Sequence, residues 1–182
     1  MEPVFMVLGQ ACGIAVSLAD GLIQDVNATD IREIMQVNPY MDGSQADVII
    51  DDGDPLITYS EGWKQAKSKK AYGPTFYALE NTPAEAYVMY HLPDTLSGEW
   101  DIYAYQMLRG KANPVAHYSV KTSSNEANVT FDNAKLALAG QMSGEWFCLG
   151  TYNLTGGGKV TMTSDESELP LRSDALLLVK HK

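Results

Sequence analysis

The sequence predicts a mainly β protein, an antiparallel β-sandwich of jelly-roll or Greek-key type that is preceded by a short α-helical segment. Short apolar runs with two-residue alternation recur along residues 47–182, and turn-forming residues separate them, which is typical of antiparallel sheets. No helical pattern lies between these runs, which favours an antiparallel sandwich over a parallel α/β sheet. Residues 2–19 instead combine small and apolar side chains in a long uninterrupted run, which indicates a helix.

The first helix is predicted over residues 2–19. Pro3 suits the first helical turn, and Glu2 complements the positive end of the helix dipole. Gly9 and Gly13 lie four residues apart and remove bulk from one face. Because a helical glycine costs roughly 1 kcal/mol relative to alanine, we expect another element to pack closely there; an ordinary buried helix is the alternative. The acidic start and the polar residues within the run argue against a signal peptide or membrane insertion.

A second, shorter helix is predicted over residues 29–37, with Thr29 or Asp30 as its cap. The polar stretch that follows is rich in turn-forming residues and breaks the helix. The predicted organisation is a helical segment at 1–38, a linker at 39–46 and a β-sandwich at 47–182.

Nine strands are predicted in the β region. In the clearest of them the residues alternate so that Val88 and Tyr90 share one face, as do Trp100 and Ile102 in the next strand. Residues 60–83, with four lysines, are predicted as a long polar connection. The predicted strands cover residues 47–51, 56–59, 84–92, 99–107, 116–122, 127–131, 145–152, 159–163 and 174–180.

Two tryptophans occur in the same local context. The tetrapeptide Ser-Gly-Glu-Trp ends at Trp100 and again at Trp146, and each copy opens an aromatic-rich strand. A glycine turn followed by tryptophan at the start of a strand predicts that both indole rings lie in the core.

Composition limits the partners and the chemistry. The 182 residues include 13 Lys and Arg against 23 Asp and Glu, a formal net charge of -10. Nucleic acid and anionic membrane surfaces are excluded as partners because both require a basic surface. Cys12 and Cys148 form neither a disulfide framework nor a zinc motif, and we predict two buried thiols.

No catalytic residue is predicted. His91, His117 and His181 are far apart in sequence, and no Gly-x-Ser-x-Gly nucleophile motif occurs. The chain is therefore not expected to be an enzyme on its own.

No metal site is predicted either. Asp51, Asp52 and Asp54 offer oxygens of the kind that calcium uses, but their spacing does not match an EF-hand loop. If a metal ion binds to the chain, these three aspartates are the candidate ligands.

The N-terminal string EPVFMVLGQACGIAVSLA resembles the C-terminal end of bacterial FAD-dependent oxidoreductases. The resemblance implies that Glu2, Pro3, Val4 and Gly9 face FAD in an intact parent protein. The glycine-rich dinucleotide fingerprint of that family is missing here, so this chain is expected to hold no cofactor. The resemblance also suggests partners, either the missing flavoprotein half or a second copy that pairs through this helix.

The β region is similar to the C-terminal domain shared by golvesin-like proteins and proteins described as xanthan lyases. The similarity rests on AYVMYHLP ending at Pro93, on WFCLGTY beginning at Trp146 and on Ser173-Asp174-Ala175. It implies a carbohydrate-binding-like accessory module of a larger secreted or surface bacterial enzyme, whose location is expected to be periplasmic or extracellular. It supplies no catalytic residues.

Sugar binding by such a module would use aromatic rings that stack on sugar faces. Five aromatic residues in or beside the polar connection are predicted to reach solvent and to contact a polysaccharide: Tyr59, Trp63, Tyr72, Phe76 and Tyr77. Two other functions stay open, a structural or interaction domain that docks onto its own flavoprotein half, and a polysaccharide lyase.

Overall fold

The computed structural model describes residues 2–37, 47–81, 83–107, 115–131, 145–166 and 168–181, with the backbone alone for residues 2–7, 36, 37 and 145. The chain divides into two compact units, Met1–Asp47 and Val48–Lys182. The predicted linker at 39–46 lies outside the described residues, and so do the side chains of Glu2, Pro3 and Val4.

The first unit is helical, as predicted. Helix α1 spans Glu2–Leu18, a short 3-10 helix spans Ile23–Asp25, and α2 spans Ala28–Val37. The predicted cap of α2 is wrong, because the side chain of Asn27 accepts a hydrogen bond from the Thr29 N–H at 2.9 Å. None of the described helices has the length and apolar character needed to cross a bilayer.

One face of α1 remains open in the described structure. A Cβ atom added at Gly9 or Gly13 would meet no heavy atom within 4 Å, so the close packing predicted there is not made by the described chain. Leu8 and Val16 are 55% and 57% exposed, and Cys12 is exposed rather than buried as predicted.

Twelve strands make up the described part of the second unit. They are β1 Val48–Ile50, β2 Ile57–Tyr59, β3 Lys64–Lys67, β4 Thr75–Leu79, β5 Tyr87–Leu92, β6 Glu99–Gln106, β7 Ala116–Thr122, β8 Glu126–Phe131, β9 Glu145–Asn153, β10 Gly158–Ser164, β11 Leu171–Ser173 and β12 Leu176–Lys180. All nine predicted strands are present.

The strands form three antiparallel sheets. Sheet A has the order β1-β12-β6-β9, sheet B the order β2-β5-β10-β7-β8, and sheet C the order β11-β4-β3. Buried side chains of sheets A and B form one hydrophobic cluster that includes Trp100, Ile102, Val88 and Tyr90. The predicted fold class, mainly β with an antiparallel sandwich, is therefore confirmed.

Sheet C corrects the prediction of a long polar connection at residues 60–83. In β4, Phe76 and Leu79 are both 5% exposed, so the predicted exposure of Phe76 is wrong. Strand β3 lies at the edge of the sheet, and its Lys64 and Lys67 are exposed. Lysines on an edge strand protect it from pairing with other chains, which explains a strand whose sequence looks like a polar loop.

A β-bulge interrupts the pairing of β6 with β9. Trp100 pairs with Tyr152 and Ile102 with Gly150, but Tyr103 pairs with Cys148, so Leu149 has no partner across the ladder. Gly150 adopts a φ of 126°, a backbone conformation that other residues rarely adopt. The Tyr152 hydroxyl donates to the Leu149 carbonyl at 2.8 Å and braces the bulge.

Candidate functional site

The five predicted ligand-binding residues do not lie together. Tyr59, Trp63 and Tyr77 form one cluster, in which the Tyr59 ring centroid is 5.6 Å from that of Trp63 and 4.3 Å from that of Tyr77. Tyr59 and Trp63 are half-buried against the core. Phe76 belongs to the interior, as noted above, and Tyr72 is 41% exposed elsewhere on the unit.

Tyr72 belongs to a second cluster, which we call the aromatic platform and define as Tyr72, Tyr105 and Trp146. The ring centroids lie 5.8 Å apart for Tyr72 and Tyr105, 5.2 Å for Tyr72 and Trp146, and 5.1 Å for Tyr105 and Trp146. The interplanar angles are 59° to 70°, which are favourable tilted geometries. The Tyr105 hydroxyl donates to the Lys70 carbonyl at 3.3 Å, so the loop that carries Tyr72 is tied to sheet A.

The bulge in β9 explains why Trp146 belongs to this platform. Side chains alternate along a strand, so the unpaired Leu149 shifts the face on which every preceding residue lies. Leu149 is buried and Cys148 is exposed, and Trp146 pairs with Tyr105 on the same outer face. Trp146 is half-buried, so its predicted core position is wrong, as is the predicted burial of Cys148.

A cluster of carboxylates, which we call the acidic cluster, borders the platform and consists of Asp51, Asp52 and Asp174. Strand β1 pairs antiparallel with β12, and Ile50 lies opposite Leu176. The residues that follow β1 therefore meet those that precede β12, which explains why groups more than a hundred residues apart in sequence come together. One ligand oxygen from each carboxylate lies within 4.8 Å of the others.

Hydrogen bonds connect the acidic cluster to strands β3 and β4 and to the loop between them. Asp174 Oδ2 accepts a bond from the Tyr72 N–H at 3.0 Å. Asp52 accepts bonds from the Thr75 hydroxyl at 2.8 Å and from the Gln65 amide at 3.1 Å. The same loop therefore carries a ring of the platform and a donor to the cluster.

Asp174 is the most buried member of the acidic cluster, with 3% of its surface exposed. Burial raises its pKa from the ordinary 3.8 to about 7, and the charges of Asp51 and Asp52 add to the rise, while the Tyr72 and Ala175 N–H groups oppose it. Burial also raises the pKa of Asp51. The surroundings of the acidic cluster therefore disfavour the ionised forms of Asp51 and Asp174.

Asp54, the third predicted metal candidate, is not part of the acidic cluster, because its Oδ1 accepts the Leu56 N–H at 2.8 Å within the turn. Asp174 takes its place. The sequence carried a signal for this, since Asp174 comes two residues before Leu176, the start of a strand in which Leu176 and Leu178 are buried, but the pairing of β1 with β12 was needed to recognise it.

The histidines lie at separate places in the described structure. His91 contacts Thr58, His117 contacts Thr130 and Asp165, and His181 contacts Asp101. Each of these pairs is exposed, and the histidines contact neither the aromatic platform nor the acidic cluster in these bonds. The geometry offers stacking rings and carboxylate oxygens at one place, and the threonine hydroxyls that bond to His91 and His117 lie at separate, exposed places.

Comparison with known proteins identifies the second unit. A family model described as the Golvesin C-terminal domain matches residues 48–180. A search of curated proteins finds no match. Among solved structures, a Paenibacillus xanthan lyase is similar with a TM-score of 0.62 and 24% sequence identity, covering 75% of this chain and 13% of the lyase.

Two carbohydrate-binding modules are also similar. A family 35 module from Clostridium thermocellum has a TM-score of 0.52 and 13% identity, covering 73% of this chain and 98% of the module. The CBM35 of Abf62 from Cellvibrio japonicus has a TM-score of 0.54 and 14% identity, covering 75% and 95%. At these identities the likeness establishes a shared sandwich fold.

Proposed function

Because this chain belongs to the Golvesin C-terminal domain family, we propose that its β unit is a non-catalytic accessory module that binds carbohydrate. The fold is shared with carbohydrate-binding modules that are complete at this size. It is also shared with a small part of a xanthan lyase, which is consistent with a module appended to a larger enzyme. Fold alone does not determine function, and the proposed binding therefore rests on the aromatic platform.

The aromatic platform is the observation that carries the proposal. Three aromatic rings meet on the outer face of sheet A, and Tyr72 is 41% exposed. Aromatic faces bind the apolar faces of sugar rings, and nearby polar groups then fix orientation. Asp174 is a polar group of this kind beside the platform, because its carboxylate accepts a hydrogen bond from the Tyr72 N–H.

The predicted ligand residues are revised accordingly. Tyr72 stays in the proposed site, and Tyr105 and Trp146 join it. Tyr59, Trp63 and Tyr77 are assigned a packing role, because the Tyr59 ring contacts both of the others and because Tyr59 and Trp63 pack against the core.

A binding experiment on the full chain tests the proposal. Binding is screened on a glycan array that includes bacterial and plant polysaccharides, and it is measured by affinity electrophoresis in gels that contain xanthan. We expect retention on at least one polysaccharide. Trp146→Ala and Tyr72→Ala should each weaken it about tenfold, because each removes a stacking ring worth roughly 1 kcal/mol or more.

Tyr87→Ala is the matched control, because Tyr87 is a half-buried tyrosine on β5 of sheet B, away from the platform. It should leave retention unchanged. Thermal unfolding of all three variants separates a lost ring from a lost fold. Binding by Trp146→Ala that equals the wild type would contradict the proposed site, and no retention on any polysaccharide would contradict the function.

The parent protein is a separate proposal. The expectation that Glu2, Pro3, Val4 and Gly9 face FAD concerns a longer flavoprotein. The exposed Leu8 and Val16 are consistent with a partner for α1, either the flavoprotein half or a second copy of this chain.

A further inference from the structure

We propose that the acidic cluster, Asp51, Asp52 and Asp174, binds one divalent cation of the calcium type. The site would lie where β1 ends and β12 begins. It goes beyond the proposed carbohydrate binding and does not depend on it.

The first support for the cation site is the distance between the carboxylates. Two oxygens that share one calcium ion at 2.3–2.6 Å cannot be much more than about 5 Å apart. Oxygens of all three aspartates lie within 4.8 Å of one another, so one ion can contact all of them without a rearrangement of the strands. An all-oxygen set of this kind suits calcium better than zinc or copper.

The second support is an unsatisfied atom. Asp174 is 3% exposed, and its Oδ1 has no hydrogen-bond partner among the described residues. A buried carboxylate oxygen without a partner is costly. A cation bound between Asp174 and the two other carboxylates would satisfy this oxygen.

The third support is charge. Three carboxylates meet at one place in a chain whose formal net charge is already -10. Ionised carboxylates at such short separations repel one another. A divalent cation would remove that repulsion.

The contacts around the acidic cluster show which chain segments the cation would connect. Asp51 and Asp52 follow β1, Asp174 joins β11 to β12, and the Tyr72 N–H is bonded to Asp174. A Cβ atom at Gly73 would lie 2.8 Å from Asp51 Oδ2, so the β3–β4 loop is packed closely against the cluster. The cation would therefore connect three chain segments of the β unit.

Calorimetric titration of CaCl₂ into the full chain, after dialysis against EDTA and then chelator-free buffer, tests the proposal without any glycan. We expect one site per chain, with a dissociation constant between about 10 µM and 1 mM. At a hundredfold excess over that constant, the melting temperature of the β unit should rise by roughly 5–10 °C.

Asp174→Asn should weaken calcium binding at least tenfold, and Asp51→Asn is a second variant in case the first fails to fold. Asp54→Asn is the matched control, because Asp54 is in the same turn but outside the cluster, and asparagine keeps the acceptor for the Leu56 N–H. It should bind calcium like the wild type. The absence of both a binding heat and a melting shift at 10 mM CaCl₂ would overturn the proposal. Equal calcium affinity in Asp174→Asn and the wild type would also overturn it.

Loss of calcium binding and loss of glycan binding are separate results in these experiments. Failure of the calcium titration leaves the polysaccharide assay and its Trp146→Ala comparison intact. Failure of the polysaccharide assay leaves the titration intact.

Discussion

Trp100 and Trp146 occupy opposite environments although the same tripeptide precedes them. Trp100 is fully buried in the sandwich core, and its indole N–H donates to the Ser97 carbonyl at 3.1 Å. Trp146 is half-buried on the outer face of sheet A and contacts Tyr72 and Tyr105. In both cases a strand begins within the local sequence Ser-Gly-Glu-Trp. The register of the strand with its neighbour decides which face of the sheet the tryptophan side chain lies on.

The bulge at Leu149 produces this difference. Tyr152 and Gly150 pair opposite Trp100 and Ile102, whose side chains point into the core, whereas beyond the bulge Trp146 lies opposite the outward Tyr105. A shift of one residue exchanges the two faces of a strand. One inserted residue therefore converts a core aromatic position into a surface position.

The largest expected effect comes from alanine substitution of the two tryptophans. Trp100→Ala should lower the free energy of unfolding of the β unit by about 3–5 kcal/mol, because it leaves a large cavity in a closed core. Trp146→Ala should lower it by only about 1 kcal/mol, because the half-buried ring loses less contact. Urea denaturation followed by far-UV circular dichroism measures both, and equal losses would contradict the comparison.

A buried and an exposed aspartate should change the free energy of unfolding in opposite directions as pH changes. Burial raises the pKa of Asp174 from 3.8 to about 7, so the folded state binds the proton more tightly than the unfolded chain. The free energy of unfolding should therefore fall as pH rises from about 4 to 7, by roughly 2–4 kcal/mol in cation-free buffer. Asp174→Asn should remove most of this decline and leave the smaller part that comes from the raised pKa of Asp51, and a decline of undiminished size in the variant would contradict the assignment.

The pKa of Asp101, on the outer face of sheet A, is shifted in the opposite direction to that of Asp174. Hydrogen bonds from Thr151 and from His181 lower its pKa, so its contribution is present above its unfolded pKa and is lost as pH falls through the lower folded value. The cost of Asp101→Asn should be present at neutral pH and vanish in acid, which the same denaturation series records.

A further effect is expected at the bulge itself. Gly150→Ala places a Cβ atom 3.0 Å from the Tyr152 hydroxyl at a φ of 126°, and we expect a loss of about 2 kcal/mol from strain and crowding. Gly156→Ala is the control, since its φ of 83° is also positive but its nearest neighbour is 3.9 Å away. Gly150→Ala should therefore melt below Gly156→Ala, and the reverse order would contradict the steric argument.

The fold was predictable because its main strands alternate clearly. Val88 and Tyr90 share a buried face as the alternation predicted, and so do Trp100 and Ile102. Strand β3 was missed because an edge strand needs few apolar residues, and its exposed Lys64 looks like part of a loop.

The candidate site was less predictable because it depends on long-range pairing. Tyr72 was identified from its polar surroundings, but Tyr105 and Trp146 become neighbours only through the ladder between β6 and β9. Asp174 meets Asp51 only because β1 pairs with β12. Neither the bulge nor this pairing has a signature in a local stretch of sequence.

The pairing of β1 with β12 has a further consequence for the module's architecture. The first and last strands of the sandwich are neighbours, with Val48 opposite Leu178, so the polypeptide enters and leaves the domain side by side. Domains with adjacent ends tolerate insertion into host proteins and circular permutation. With its first and last strands adjacent, the sandwich can be inserted into a longer polypeptide while the flanking sequences stay close together.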